Sequence, residues 1–405
     1  MLLSFLVRSS FAQESIRPSV TGDLASEARK PETNGNYFLK AGPVGFSASL
    51  STDVEYNDNV GLSEKNRESD FIIRPLLQID SEWRVTTLNT LRFDIGIAYS
   101  DYTQHKDLDT RSILLDPGSQ ISFDVYVGGV LKLTFHDRFA ILQNPIDEPT
   151  LSNTARFDRF QNSAGLTALF DFNDLKIVFG YDHFTYHTFG DEFDFLDRRE
   201  EQFFASASLR LSDAVTVGLD SSGGLVYYNT DFNNDGSMFS AGTFLEATLS
   251  DYTTLRIDGG YQQMVFQTDG TNGDTTNYHG WYASLTVAQR LNQYWSHSLA
   301  VGHEARLGLE VNFYEYDFVR YLAQWQINPR MTLGLEGFIE DANESGTAAQ
   351  NSEESRRWGG SASLSWRLGA KVTANLRYEY VKKDSDLALR SYYQNVGTFS
   401  LKYDF

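Results

Sequence analysis

The sequence predicts an all-β chain: a transmembrane, antiparallel up-and-down β-barrel of about eighteen strands. Three observations carry that reading. From Val44 onward, long runs alternate apolar and polar residues; short turns and long polar loops take turns between those runs; and Val396–Phe405 forms an alternating aromatic strand.

Composition is compatible with a barrel. A chain of 405 residues would ordinarily suggest two or three domains. One large barrel absorbs the same length, because its polar interior needs no solid core. No apolar run approaches the roughly 18 residues of a membrane-spanning helix, so any crossing is made by strands. Asp and Glu number 54 against 34 Lys and Arg, for a net charge of −20. That balance argues against a nucleic-acid partner, whose phosphates need cations. With no cysteine in the chain, disulfides and thiol chemistry are excluded.

At the amino end, MLLSFLVRSSFAQES resembles the remnant of a secretory signal over residues 1–12. Ser10 and Ala12 supply a small-x-small cleavage site before Gln13. Residues 13–42 are polar, with Pro18, Pro31 and Gly35, and read as a flexible periplasmic linker. The barrel is expected over 43–405.

Within the barrel, alternation assigns faces, because successive side chains of a strand point to opposite sides. Leu91, Phe93, Ile95, Ile97 and Tyr99 share one face; Arg92, Asp94, Gly96, Ala98 and Ser100 share the other. Trp358, Gly360, Ala362, Leu364 and Trp366 likewise oppose Gly359, Ser361, Ser363, Ser365 and Arg367. Val372, Ala374, Leu376, Tyr378 and Tyr380 oppose Thr373, Asn375, Arg377 and Glu379. A soluble sandwich also alternates, but with shorter strands.

The connections separate the two architectures. Tight turns are expected near Arg84–Thr87, Gly128–Gly129, Asn173–Asp174, Ser212–Asp213, Ser250–Tyr252, Leu291–Gln293, Asn328–Arg330 and Gly369–Ala370. Longer polar segments lie between them at 57–69, 102–118, 141–158, 187–200, 229–237, 267–277, 304–312, 341–355 and 382–390. Short periplasmic turns alternating with long external loops are the asymmetry of an outer-membrane barrel. The stretches 57–118 and 300–320 are the least regular, so the pattern also admits sixteen strands.

Tryptophans fall at the edges of this scheme. Trp83, Trp295, Trp325 and Trp366 lie beside short turns, while Trp281 and Trp358 follow long loops. Both groups would form membrane girdles, since the indole ring is apolar and its N–H wants water. In the last strand, Phe399, Leu401, Tyr403 and Phe405 alternate with polar residues. That strand looks like the signal read by the barrel-assembly machinery.

The first strand and loop, Ser49-Leu50-Ser51-Thr52-Asp53-Val54-Glu55-Tyr56-Asn57-Asp58-Asn59-Val60, resemble the opening of the putative beta-barrel porin family (type 2). Barrels of exopolysaccharide operons look similar. The strand–turn–strand rhythm matches over roughly 44–405. The resemblance implies a barrel, of porin type, and names no substrate.

If the apolar faces meet lipid, the polar faces line the pore, because Arg or Lys at mid-membrane costs about 2–4 kcal/mol on the lipid side. The expected pore lining includes Asp53, Glu55, Arg74, Arg92, Asp94, Arg210, Asp220, Glu246, Arg256, Asp258, Arg377 and Glu379. Three strands repeat one device just after a short turn: Leu91-Arg92-Phe93-Asp94, Leu255-Arg256-Ile257-Asp258 and Leu376-Arg377-Tyr378-Glu379. Each sets an Arg and an acid two residues apart on the polar face. Such charges either sort solutes by a transverse field or pair into a ladder within the wall.

Other motifs are weak. Asp231-Phe232-Asn233-Asn234-Asp235-Gly236 resembles the start of a calcium loop, but position twelve is Gly242 where a bidentate Glu is needed. Asp269, Asn272 and Asp274 read, like that segment, as plain loop residues. His183 and His187 stand too far apart along a strand to chelate one metal easily. No G-x-S-x-G, phosphate loop or Cys–His pair occurs. The sequence therefore points to no cofactor, no metal and no catalysis. The expected role is passive diffusion of small hydrophilic solutes through the bacterial outer membrane, with outer-membrane lipid and the assembly machinery as partners. Two other roles share the pattern: polysaccharide export, and a structural or adhesive barrel with a plugged lumen.

Overall fold

The computed structural model describes residues 37–346 and 352–405; the expected signal at 1–12 and the linker up to residue 36 lie outside them. Eighteen long antiparallel strands close into one barrel. They are β1 Val44–Asn57, β2 Asp70–Arg84, β3 Asn89–Ala98, β4 Gln120–Val127, β5 Leu131–Leu142 and β6 Arg159–Asp171. Then follow β7 Leu175–Thr188, β8 Arg198–Ser212, β9 Val215–Tyr228, β10 Gly236–Ser250, β11 Thr253–Phe266 and β12 Tyr278–Arg290. The wall ends with β13 Trp295–Leu307, β14 Phe313–Asn328, β15 Met331–Glu344, β16 Glu354–Arg367, β17 Val372–Ser385 and β18 Tyr392–Asp404.

Both irregular stretches belong to regular strand pairs, so the sixteen-strand count falls away. The segment 57–118 contains β2 and β3, and its loop carries short strand pieces Asp101–Tyr102 and Leu114–Leu115. Residues 304–307, expected in a loop, extend β13, which leaves a connection of only 308–312. Among the described residues no helix is long and apolar enough to cross a membrane.

Each strand pairs with its sequence neighbour, and β1 pairs with β18 from Ser49↔Asp404 to Asn57↔Val396. Closure satisfies the backbone amides that lipid cannot. Below that seam, Leu39–Ala41 folds back on β1, with Leu39↔Phe46 and Ala41↔Val44. These residues were expected in the linker. Gly42, at φ 62°, turns the chain ahead of Pro43 and makes the return strand.

Turns occupy one end and loops the other, as alternation requires. Register shifts at Arg210/Ser212, Thr248/Ser250 and Gln326/Asn328 lie next to three of the tightest turns. Such bulges add the local twist that a tight reversal needs. Large apolar side chains face outward and stay exposed, among them Phe179, Leu219, Leu249 and Leu376. The exterior is thus an apolar belt and the charges turn inward.

Inside, aromatic rings lie flat over glycines of the neighbouring strand. Gly180↔Phe204, Gly218↔Phe244, Gly302↔Phe318 and Gly359↔Phe338 are register partners on the inner face. A Cβ on Gly180 would sit 1.9 Å from Phe204 Cζ, so the ring needs the missing side chain. Tyr282 reaches further, across Gly260 on β11 to Gly242 on β10.

Candidate functional site

The inner face of the wall is a ladder of paired charges. On β2–β5, Arg92 Nε lies 3.4 Å from Glu82, and Arg92 Nη1 also meets Asp124. Lys132 Nζ stands 3.3 Å from the other oxygen of Asp124. Asp94 accepts from Gln120 Nε2 at 3.1 Å. Nearer the loops, Arg74 lies 3.6 Å from Glu55 and donates to Ser100 Oγ at 3.0 Å. Arg256 joins Glu246 on β10 to Asp258 on its own strand, the latter at 3.2 Å. Arg377 bridges Glu336 at 3.0 Å and Glu379 at 3.1 Å.

Alternation puts these residues together because they share one face of consecutive strands. Arg210 and Asp220 share that face with different surroundings. Arg210 pairs with Asp174 at 2.6 Å in the next turn, well exposed at the short-turn mouth. Asp220 is buried on β9, opposite Ser206 and Gly242. Asp53 sits opposite Arg74 in the β1–β2 register.

At the loop end, the connection 143–158 leaves the wall between β5 and β6 and crosses the lumen. Its Ile146 packs with Phe338 on β15, Val381 on β17, Tyr392 on β18 and Leu62 of the first loop. β15 and β6 lie nine strands apart around the wall, on opposite sides. The far anchorage is polar. Lys383 Nζ donates to Thr150 O at 3.1 Å and pairs with Glu353 at 3.0 Å, and neither side chain of that pair has contact with solvent. Ser152 Oγ donates to Arg390 O at 2.7 Å, and Asn153 Nδ2 to Leu389 O at 2.6 Å.

The near anchorage is Arg159, fully buried at the start of β6. Its Nη2 lies 3.3 Å from Asp147, and its Nη1 donates to Asn144 O and Phe157 O at 3.0 and 3.1 Å. Burial raises the pKa of Asp147, and the attraction of Arg159 only partly offsets it. A second bar meets the first. Leu309, from the β13–β14 loop, packs with Phe157, Phe184, Tyr186 and Leu196. Arg390 lies 3.2 Å from Glu310 of the same loop.

The sequence reading missed this crossing, because Lys383 was expected in a loop and the structure places it in β17. The Asp231–Gly236 segment serves the same loop cluster: Asn233 Nδ2 donates to Phe195 O at 3.1 Å and Leu309 O at 3.0 Å. Asp274, expected as a plain loop residue, is buried and accepts from Asn312 N at 2.9 Å and from Ser345 Oγ. His183 and His187 point outward and pair with Glu201 and Asp197. Among the described residues no cluster of three or more His, Cys, Asp or Glu could hold a metal.

The six tryptophans stand on the outward face. Trp83, Trp295, Trp325 and Trp366 lie toward the short turns, with Trp295 and Trp325 at 6.0 Å between ring centres. Trp281 stacks on His303 at 4.3 Å and Trp358 meets Tyr380 at 5.3 Å, both toward the loops. Phe399, Leu401, Tyr403 and Phe405 are exposed on the outward side of the seam strand and its end.

A closed eighteen-strand wall, an apolar exterior and a charged interior are the geometry of a transmembrane β-barrel. The chain matches the family Putative beta-barrel porin 2 over residues 39–234. No curated protein matches the sequence. Solved structures that share the fold include Pseudomonas aeruginosa OccK5 (OpdH), with TM-score 0.51 and 12% identity, covering 89% of this chain and 98% of that one. P. aeruginosa OccK2 (OpdF) in complex with glucuronate gives 0.53 and 12%, covering 89% and 98%. P. aeruginosa OpdK with vanillate gives 0.50 and 10%, covering 89% and 99%. The chain shares the fold of these barrels, and the first half of its wall matches the porin family model.

Proposed function

We propose that this barrel passes small hydrophilic solutes by passive diffusion and that loop 143–158 sets its bore. The observation that carries the reading is the bar across a charged lumen, anchored by Arg159 on β6 and, seven strands around the wall, by Lys383 on β17. Arg74, Arg92, Asp94, Arg210, Asp220, Glu246, Arg256, Asp258, Arg377 and Glu379 are the proposed pore lining. These five Arg and five acids balance, and most are paired, so their fields largely cancel; the small acidic excess comes from Glu55, Glu82, Asp124 and Glu336 beside them, offset only in part by Lys132. That excess favours cations weakly. Glucuronate and vanillate, held by the two neighbours, are small polar acids; solutes of that size are the first to try.

The test is conductance of the refolded protein in a planar bilayer under a salt gradient. Steady steps with a slightly cation-selective reversal potential are expected. Inserted, folded protein without steps sinks the diffusion reading. It would favour the plugged structural barrel, which the solvent-free Lys383–Glu353 pair and the apolar contacts between loop tips also support. Export of a charged polymer would call for a lumen of one sign, and this one mixes both.

A further inference from the structure

The outward wall carries a groove of about 340 Å³ across β8–β11, lined by Phe203, Gly223, Leu225, Phe239, Gln263 and Val265 among others. Its floor is Gly223. A Cβ there would meet only Met238 O, at 3.8 Å, so the absent side chain leaves a notch rather than a packed contact. Phe203 and Phe239 are its register partners on either side and form the walls. The groove lies in the loop-side half of these strands, and therefore in the outer leaflet.

Directly above it the wall turns polar. Arg199 stands four residues beyond Phe203 on β8, and Tyr227 four beyond Gly223 on β9. The two are register partners, with the guanidinium 5.3 Å from the Tyr227 ring centre. Four strand residues span roughly 13 Å, the reach from a lipid headgroup into its acyl chains. Arg199 is exposed and faces no carboxylate in an ion pair among the described residues. The nearest acid on its own strand face, Glu201, is tied to Tyr181 Oη at 2.6 Å and His183 Nδ1 at 3.0 Å.

We propose that this groove is a binding site for an acylated, phosphorylated lipid of the outer leaflet. One acyl chain lies over Gly223 between Phe203 and Phe239, and a phosphate meets Arg199. The fit rests on shape below and charge above. The notch removes apolar chain surface from the bilayer into contact with two rings, and the unpaired guanidinium supplies a charge-assisted fork for phosphate oxygens. The site is on the outside of the wall, so it is independent of whether the lumen conducts.

Native mass spectrometry of the refolded full chain, released from micelles containing diphosphoryl lipid A, tests this. Wild type is expected to retain one lipid A per chain. Gly223→Leu, whose Cβ meets nothing closer than Met238 O at 3.8 Å, and Arg199→Gln should each lower retention about fivefold or more. Arg199→Gln should leave retention of a dephosphorylated lipid A unchanged. Val301→Leu, on the outward face of β13, is the control and should behave as wild type. Equal retention by wild type, Gly223→Leu and Arg199→Gln would overturn the proposal, leaving only general contact with the bilayer. So would a two-chain species lost in Gly223→Leu, which would assign the groove to a second copy. Conductance of both variants should match wild type, so a failed porin reading and a failed lipid site give different results.

Discussion

Replacing Lys383 by Met should unseat the loop that crosses the lumen. The Lys383–Glu353 pair is 3.0 Å long, with 0% and 1% of the two side chains exposed. Removing the cation leaves Glu353 buried, with Arg390 Nη1 at 3.5 Å as its remaining partner. Breaking a buried pair from one side costs about 3–5 kcal/mol, because the surviving charge is left without compensation. Arg390 retains part of that compensation, so a loss of about 3 kcal/mol is expected at the loop. At 1.4 kcal/mol per factor of ten, this shifts the seated-to-unseated ratio by about 100-fold. The hydrogen bond from Lys383 to Thr150 O disappears in the same change. Hydrogen exchange over 143–158 should accelerate, and channel recordings should show larger, noisier steps. Adding Glu353→Gln should restore most of the loss, since removing both charges also removes the stranded one. If K383M folds into a barrel with unchanged loop exchange and unchanged conductance, the bar is not held from β17 and the reasoning fails.

The paired charges of the wall give a second expectation: E246Q with D258N strips Arg256 of both carboxylates, and the cation-to-anion permeability ratio should fall roughly twofold, read as a shift in reversal potential. Leu376→Arg, on the lipid side, should lower stability by about 2 kcal/mol in urea titrations in vesicles, while Ser363→Arg on the inner face should cost little. Tyr403→Ser with Phe405→Ser should reduce the amount assembled in the outer membrane severalfold, yet leave refolding into micelles intact; equal assembly would remove the signal role proposed for the last strand. Asp147 gives a pH effect of defined sign. Its pKa is raised in the folded loop, so the folded state takes up the proton first. The burial cost of its charge is present near neutral pH and relieved as pH falls through the raised value. Protection of the loop amides, corrected for the intrinsic pH dependence of exchange, should therefore rise slightly over that range in wild type and stay flat in Asp147→Asn.

How much of this was legible depends on the period of the signal. Strands such as Val372–Ser385 announce themselves, because one face must meet lipid and the other must not. The same alternation located the charge pairs of Arg256 and Arg377, since spacing by two residues fixes the face. The bar was not legible. Thr150 and Lys383 meet across the lumen, and nothing periodic in a polar loop marks its destination. Ile146, Leu62 and Leu309 are single apolar residues in polar surroundings and look incidental until they touch. Lys383 itself follows Lys382 in a charged run that reads as solvated loop, although the register carries β17 on to Ser385. The aromatic–glycine contacts depend on register, and a slip of one residue would turn every ring to the other side.

The return strand Leu39–Ala41 changes what kind of object the closed wall is. β1 begins lower than β18 ends, so the seam stops at Ser49 while the stretch from Val44 continues. That lower stretch would otherwise present an unpaired edge, a template on which another chain's strand could add. The residues just ahead of the barrel occupy the edge themselves, with Leu39 against Phe46, and Phe405 N reaches Ala48 O at 3.0 Å to complete the row. The same chain thus provides its own end-stop, which separates a solitary cylinder from one open to strand exchange at its periplasmic rim.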